Sequence, residues 1–340
     1  MIEGHGDDAY RFDGITSDFS SNICANVDHA ILMDHLASLP RLLCHYPEPE
    51  PWSLEKLIAE YHGIDPQQVI VTNGATDAIY LIAQAFRLRP DIPSPTFSEY
   101  RDACLMFPPV SQSGDTTSAG TIHWLCNPNN PTGQVLAQPE IDKMTLSGDI
   151  VVIDQSYEHY TDQEIMTPRM AAENPQFIQI HSFTKTYAVP GLRLGYITAH
   201  CHLTGILRRF LRPWSVSALA VEAGKFLLQH DELVCRPHLA EARRLADGLR
   251  QIRGVEVKPT QTNFMLCHLL QGTAHALKTF LIEHHKMLIR DASNFDGLDD
   301  RYFRVAAQSP QENDALIAAV RGFCMSQTSS TSTKPDKHDE

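Results

Sequence analysis

No apolar run in the sequence approaches the ~18 residues that a bilayer-crossing helix requires, so no membrane-spanning segment is expected. A basic surplus is missing as well: 28 Lys and Arg stand against 41 Asp and Glu, a net charge of −13. That balance argues against nucleic acid or an anionic membrane surface as the main partner. The opening residues, MIEGHGDDAYRFDG, are acidic where a secretory signal would be basic and then apolar, which points to a cytoplasmic protein. The eight cysteines (24, 44, 104, 126, 201, 235, 267 and 324) include no C-x-x-C pair. Most lie beside apolar neighbours, as in Leu125-Cys126 and Leu266-Cys267, so buried reduced thiols are expected. The 17 histidines, His200-Cys201-His202 and His284-His285 among them, lack the spacing of a closed zinc site, so no metal is expected.

The 340 residues are 43% hydrophobic and 20% charged, enough for a sizeable core in roughly two domains. Strand-like and helix-like segments alternate without a repeat. QQVIVTNGA reads as a short buried strand, followed by a helix over Thr76–Phe86. TIHWLCNPNNPTG, DIVVIDQSY and QFIQIHSFTK each read as an apolar strand running into polar residues. Such runs between helices predict an α/β fold, a mainly parallel sheet covered on both faces, with ligands bound beyond the carboxyl ends of its strands. After Ala199 the texture changes: residues 217–253 are helical in composition, NFMLCHLL and YFRVAAQ read as strands, and ENDALIAAVRGF as a closing amphipathic helix. The expected organisation has four parts. An N-terminal arm over 1–45 packs with the small domain, a large domain covers 46–200, and a smaller α+β domain joined by a long helix covers 201–325. An unstructured tail covers 326–340, where SQTSSTSTKPDKHDE lacks apolar residues.

Four strand ends carry unusual polar sets. In His181-Ser182-Phe183-Thr184-Lys185 a lysine follows an apolar strand, flanked by hydroxyls, with Arg193 eight positions on. This fits a lysine held near an anion; a solvated surface lysine is the competing reading. Asp154 ends the strand over 151–154, where a carboxylate is costly unless it meets a cation. The protonated ring nitrogen of pyridoxal 5'-phosphate is such a cation, and a lysine with an aspartate partner is how proteins tune that cofactor. Tyr157 follows within reach of the ring hydroxyl, with a core tyrosine as the competing reading. Cys126-Asn127-Pro128-Asn129-Asn130-Pro131-Thr132-Gly133 makes a rigid turn in which Asn130 could hydrogen-bond the ring oxygen. Thr72-Asn73-Gly74-Ala75-Thr76-Asp77 sits between a strand and a helix, where backbone N–H groups and the Thr76 hydroxyl would hold a phosphate; a plain helix cap explains Thr76 or Asp77 equally well.

Together TNGATDAI, CNPNNPTG, VVIDQSY and SFTKTYAVPGLRLGY resemble the fold type I pyridoxal-phosphate enzymes of the aminotransferase class I/II superfamily, over almost the whole chain except the tail. The resemblance implies a large domain with a mainly parallel seven-stranded sheet sandwiched by helices, and a smaller α+β C-terminal domain. It implies that Lys185 carries pyridoxal 5'-phosphate covalently and that Asp154 pairs with the pyridine nitrogen. Asn130 and Tyr157 would hold the ring oxygen, and Gly74, Ala75, Thr76, Ser182 and Arg193 the phosphate. Tyr100, in PTFSEY, matches the aromatic residue that stacks on the ring, with a packed core tyrosine as the competing reading. Arg304 matches the arginine that grips the substrate carboxylate, a role suited to its planar fork. Tyr46 matches a tyrosine lent to the neighbouring subunit's cofactor phosphate, which implies a homodimer with shared sites.

Within that superfamily the chain is similar to the threonine-phosphate decarboxylases of the cobalamin pathway and to the histidinol-phosphate aminotransferases. The similarity is carried by Gly4-His5-Gly6, Phe19-Ser20-Ser21-Asn22-Ile23, Pro213-Trp214-Ser215-Val216-Ser217-Ala218 and the run from Leu288-Ile289-Arg290 through Asn294-Phe295-Asp296-Gly297-Leu298 to Arg304. By this likeness His5 and Asn22 approach the substrate, and Arg290 and Arg304 face its acidic groups. Asp7-Asp8 departs from the pattern and would repel a phosphorylated substrate if directed inward. The stretches Arg101–Thr121 and Gln134–Asp149 are short for the family, with peripheral elements expected to be lost and the site intact. The implied reaction is decarboxylation of L-threonine O-3-phosphate, with amino transfer to a 2-oxo acid as the alternative. A ligand-sensing regulator is a reading of another class, disfavoured by the acidic charge and by the lack of room ahead of residue 45 for a DNA-binding domain.

Overall fold

The apolar runs form strands buried along their whole length, as the inner strands of a sheet covered on both faces must be. They are seen in a computed structural model of the chain that describes residues 8–24, 27–110, 120–145 and 149–331. Two compact units make up the chain. The larger comprises Ile23–Asn130 and Gln134–Pro237, and the smaller comprises the residues up to Asn22, Pro131–Gly133, and those from His238 onward.

The sheet of the larger unit contains β1 (Val69–Thr72), β2 (Arg89–Asp91), β3 (Thr121–Cys126), β4 (Ile150–Asp154), β5 (Phe177–Ser182) and β6 (Gly195–Ala199). Its order is β1-β6-β5-β4-β3-β2. Strands β2 to β5 are parallel, and β6 runs antiparallel to both β5 and β1. Six strands are present among the described residues, against the seven expected. Strand β2 carries Pro90, which has no N–H to donate and sits where proline is tolerated, on the sheet's edge.

Helices cover both faces. On one, α3 (Ala75–Phe86) places Ala78, Ile79 and Ile82 against Ile70, Ile178 and Ile197, beside Trp124. These apolar residues recur at three- and four-residue spacing, the pattern of a one-sided helix. The opposite face is covered by α2 (Trp52–His62) and α6 (Ala218–Leu228), whose Leu54, Ile58, Ala223 and Leu227 meet Val69, Val71 and Tyr196. Each fully buried Leu or Ile contributes about 1.5–3 kcal/mol of transfer free energy. The shorter α1 (Ala30–Ala37), α4 (Glu99–Met106) and α5 (Cys201–Arg208) also belong to this unit, with still shorter helices at Gln138–Asp142, Pro168–Glu173 and Phe183–Thr186.

The smaller unit has an antiparallel sheet of β7 (Val255–Val257), β8 (Phe264–Leu269), β9 (Arg290–Asp291) and β10 (Tyr302–Ala306), in the order β9-β10-β8-β7. Helices α7 (Leu239–Arg250), α8 (Ala274–His285) and α9 (Pro310–Thr331) pack on it through Leu249, Leu281 and Val320. Ser17–Asp18 pairs in parallel with Met287–Leu288 in the same unit.

Four expectations are corrected. The boundary placed at residue 200 lies between Pro237 and His238, because Leu203 and Leu207 of α5 and Ala220 of α6 bury themselves in the larger unit's cores. The arm over 1–45 divides at Asn22, its later part belonging to the larger unit. The expected long helix over 217–253 is two helices with a break at 229–238, where Pro237 disfavours helix in the residue before it. The stretch from Ser326, expected to be unstructured, continues α9 as far as Thr331, since extending an established helix adds one hydrogen bond per residue fixed.

Candidate active site

Backbone register gathers the four polar motifs on one edge of the larger sheet. Cys126 lies opposite Asp154 and Asp154 opposite Ile180, while Ser182 and Thr72 both lie opposite Gly195. The carboxyl ends of β1, β3, β4 and β5 therefore share an edge with the start of β6. From β6 to β4 is two interstrand spacings, about 10 Å.

At the β1–β6 end, Gly74 precedes α3 with φ +85°, a conformation side chains rarely adopt. A Cβ on Gly74 would stand 2.7 Å from Nη2 of Arg193, so the guanidinium lies directly over the start of the helix. The next element is equally close. A Cβ on Gly195 would meet the Ala75 nitrogen at 2.7 Å and the Gly74 carbonyl carbon at 2.8 Å. The first N–H groups of a helix have no intrahelical acceptor, and here they sit beside an arginine at a point closed to side chains. Arg193 also donates to the Thr184 hydroxyl at 3.4 Å and the Pro190 carbonyl at 3.1 Å. Ser182 is buried and stands at the N-cap of the short helix Phe183–Thr186, which carries Lys185 directly after β5.

At the β4 end, Asp154 is buried. One carboxylate oxygen accepts from the Ser156 N–H (2.9 Å) and hydroxyl (2.6 Å), the other from the Tyr100 hydroxyl (2.8 Å). Burial holds its pKa above the ordinary carboxylate value, opposed by the bonds from Ser156 and Tyr100. Among the described residues no Lys or Arg forms an ion pair with it. Tyr100 is fully buried and stacks on Trp124 (centroids 5.4 Å, 18°), so it stands at Asp154 with its ring held from behind. The Lys185 amine lies 5.5 Å from the centroid of the Tyr157 ring, three residues beyond Asp154.

The asparagines of CNPNNPTG divide their work. The Asn127 side chain bonds both backbone groups of Leu136 (2.8 and 3.0 Å), and Asn129 bonds the Pro95 carbonyl and the Thr96 hydroxyl, so these two shape the loop. Asn130 is buried at its end. Tyr46 is 86% exposed and lies 5.4 Å from the Trp214 ring.

In the smaller unit, Arg290 and Arg304 are buried and directly opposite each other across β9 and β10. Arg290 donates to the Asp291 carbonyl and the Asn294 side chain (2.6 Å each), and Arg304 to the Ser20 carbonyl (2.6 Å). Directly opposite positions share one face of the ladder, so the two guanidinium groups rise from the same side of it. Asn22 is buried in this unit too. Asp8 pairs with Lys278 at 2.7 Å, which offsets one of the two carboxylates that depart from the expected pattern. His5 and Asp7 lie outside the described residues.

Sequence reasoning missed three features. Gly195 owes its identity to a close approach between β6 and α3 that appears only when β1 and β6 pair. Tyr160, fully buried, donates to the Lys185 carbonyl at 3.0 Å, but nothing in its local sequence marks it. Cys24 and Cys235 form a disulfide, with Cα atoms 6.4 Å apart, against the expectation of reduced thiols throughout. A pair 211 residues apart leaves no spacing signal.

Residues 16–106 and 116–320 match the family Aminotransferase class I and II, and the chain belongs to that family. It is an enzyme dependent on pyridoxal 5'-phosphate. The sheet edge fits that group: a buried carboxylate with no ion-pair Lys or Arg among the described residues, a lysine three residues past the end of β5, and a guanidinium over a helix start that admits no side chain. The crystal structure of L-threonine-O-3-phosphate decarboxylase from Porphyromonas gingivalis is 37% identical, with a TM-score of 0.85, covering 91% of this chain and 99% of that one. A protein of Caldanaerobacter subterraneus, provisionally named a threonine-phosphate decarboxylase, is 34% identical over 83% of each chain. The histidinol-phosphate aminotransferase of Thermoanaerobacter sp. is 30% identical over 81% of this chain and 83% of its own.

Proposed function

We propose that the protein decarboxylates L-threonine O-3-phosphate, as its near-complete likeness to the Porphyromonas gingivalis enzyme supports. When bound, pyridoxal 5'-phosphate supplies an electron sink that accepts the electron pair of a bond broken at the substrate's α-carbon. Lys185 holds the cofactor through its Nζ and, once released from it, carries a proton at that atom. Asp154 keeps positive charge on the ring nitrogen. Asn130 and Tyr157 hold the ring oxygen, and Tyr100 braces the ring. The α3 N–H groups of Ala75 and Thr76, with Gly74 leaving room, bind the phosphate together with Ser182 and Arg193.

The observation that supports a doubly acidic substrate is the buried Arg290–Arg304 pair of the smaller unit, two planar forks on one ladder face that suit a carboxylate and a phosphate. We assign His5 and Asn22 to the same substrate. A second reading, amino transfer of the histidinol-phosphate type, is favoured by the Thermoanaerobacter relative. The two separate cleanly: threonine phosphate yields carbon dioxide without a 2-oxo acid in the first, whereas amino-group loss requires 2-oxoglutarate in the second. Release of carbon dioxide no faster than in an enzyme-free control would end the first reading.

We also infer a cytoplasmic homodimer. Leu43, Tyr46, Trp52 and Trp214 are between 50% and 86% exposed, and Tyr46 lies against Trp214, apolar surface that a second chain would cover. A monomeric mass by light scattering would contradict this.

A further inference from the structure

Two cysteines at the back of the Lys185 turn play no part in the chemistry above. We propose that Cys24 and Cys235 are a reversible redox pair, exchanging with glutathione or a dithiol reductant, whose bond fastens the turn carrying Lys185.

Cys235 reaches that turn directly through its backbone N–H, and Cys24 reaches it through the Tyr160 hydroxyl. The Cys24 N–H donates to the Tyr160 hydroxyl at 3.2 Å, and that hydroxyl donates to the Lys185 carbonyl at 3.0 Å. The Cys235 N–H donates to the Thr186 carbonyl at 2.6 Å. The Tyr160 hydroxyl also stands 3.8 Å from the Cys235 sulfur. Each cysteine thus engages one of two consecutive carbonyls, those of the lysine and its neighbour, and the disulfide closes the ring between them. Burial pushes the Tyr160 hydroxyl well above its usual pKa, so it stays a donor across the working range.

The placement along the chain adds to this. Cys24 lies just after the point where the chain enters the larger unit, and Cys235 just before it leaves. Their bond therefore joins, inside one unit, the two ends of a 211-residue span.

The exposures suit exchange. Cys24 is half-buried and Cys235 is 5% exposed, so an incoming thiolate attacks the Cys24 sulfur and expels Cys235 as the leaving thiolate. A second thiolate then attacks the incoming sulfur of this mixed disulfide and releases Cys24, leaving both cysteines reduced and one small disulfide formed. In the reverse direction the two thiols give up two electrons and two protons to glutathione disulfide, which becomes two molecules of glutathione. Cys126 does not compete, since burial pushes its thiol up to about 12, and it bonds the Pro128 carbonyl.

The test equilibrates the full-length protein across ratios of reduced to oxidised glutathione, then traps and maps its thiols. We expect one two-electron transition confined to Cys24 and Cys235, the thiol count moving between eight and six. Reduction should speed amide exchange at residues 183–187 by at least about threefold and lower Tm by about 5 °C. Cys24→Ser, at the more exposed position, should match the reduced form at every ratio. Cys235→Ser should do the same if it folds. A pair that stays reduced, or stays oxidised, at every ratio overturns the proposal. So does a transition that leaves exchange at 183–187 unchanged. These readouts need no substrate, so their failure is distinct from failure of the decarboxylase reading.

Discussion

Replacing Asp154 with Asn separates what the carboxylate does for the fold from what it does for the cofactor. The amide keeps the shape, so one side still accepts from Ser156 and the other can still bond the Tyr100 hydroxyl. Only the charge is lost. In the cofactor-free protein that charge is buried without an ion-pair partner, and its raised pKa means the folded state binds the proton more readily than the unfolded chain. Ionisation therefore costs stability as pH rises through the folded pKa, and Asp154→Asn avoids that cost. The cofactor-free variant should be at least as stable as the parent at pH 7. With cofactor bound, the variant loses a buried ion pair, a loss of about 3–5 kcal/mol, or roughly 10²–10³-fold or more in kcat. Thermal unfolding with and without cofactor, alongside the carbon dioxide assay, reads both. A cofactor-free variant markedly less stable than the parent, or a kcat within tenfold of it, would refute the reasoning.

Gly74→Ala combines an unfavourable φ with a Cβ 2.7 Å from the Arg193 guanidinium. Cofactor affinity should fall at least about tenfold, since losing one charged hydrogen bond costs about 1.5–3 kcal/mol; unchanged binding in an absorbance titration would show that the phosphate lies elsewhere. Arg304→Lys keeps the charge but not the fork, and should raise KM for threonine phosphate by about tenfold or more while leaving cofactor binding intact. An unaltered KM would remove Arg304 from the substrate. His62, bonded to the Tyr196 hydroxyl at 2.8 Å, has its pKa pushed from 6.5 to about 4 by burial and by His181. The unfolded chain binds this proton more readily, so its stability contribution is complete above about pH 6.5 and is lost as pH falls toward 4. At pH 5 that loss is about 2 kcal/mol, and His62→Gln should be spared it in urea unfolding at pH 7 and pH 5. Equal losses in both proteins would refute the assignment.

The strands were legible because burial on two faces demands continuous apolar runs, and the polar residues at the ends of β3, β4 and β5 mark where the apolar run stops although burial continues. Residue type and immediate neighbours also singled out Lys185, Asp154 and Gly74, and the strand ends beside them share one sheet edge. What local sequence could not show was register. Only strand pairing sets Cys126 beside Asp154, and Gly195 against both Thr72 and Ser182. The split of labour between Asn127 and Asn130 depends on where Leu136 returns, and the Cys24–Cys235 bond on two segments 211 residues apart. Helices α5 and α6 were misassigned because amphipathic periodicity tells which face is buried but not which core receives it.

The most direct test of the central claim is borohydride reduction of the purified, cofactor-loaded protein followed by peptide mapping. The account predicts a pyridoxyl group on Lys185 alone, with the visible absorption lost on reduction and absent from Lys185→Ala. A pyridoxyl group on another lysine, or none on any, would contradict it.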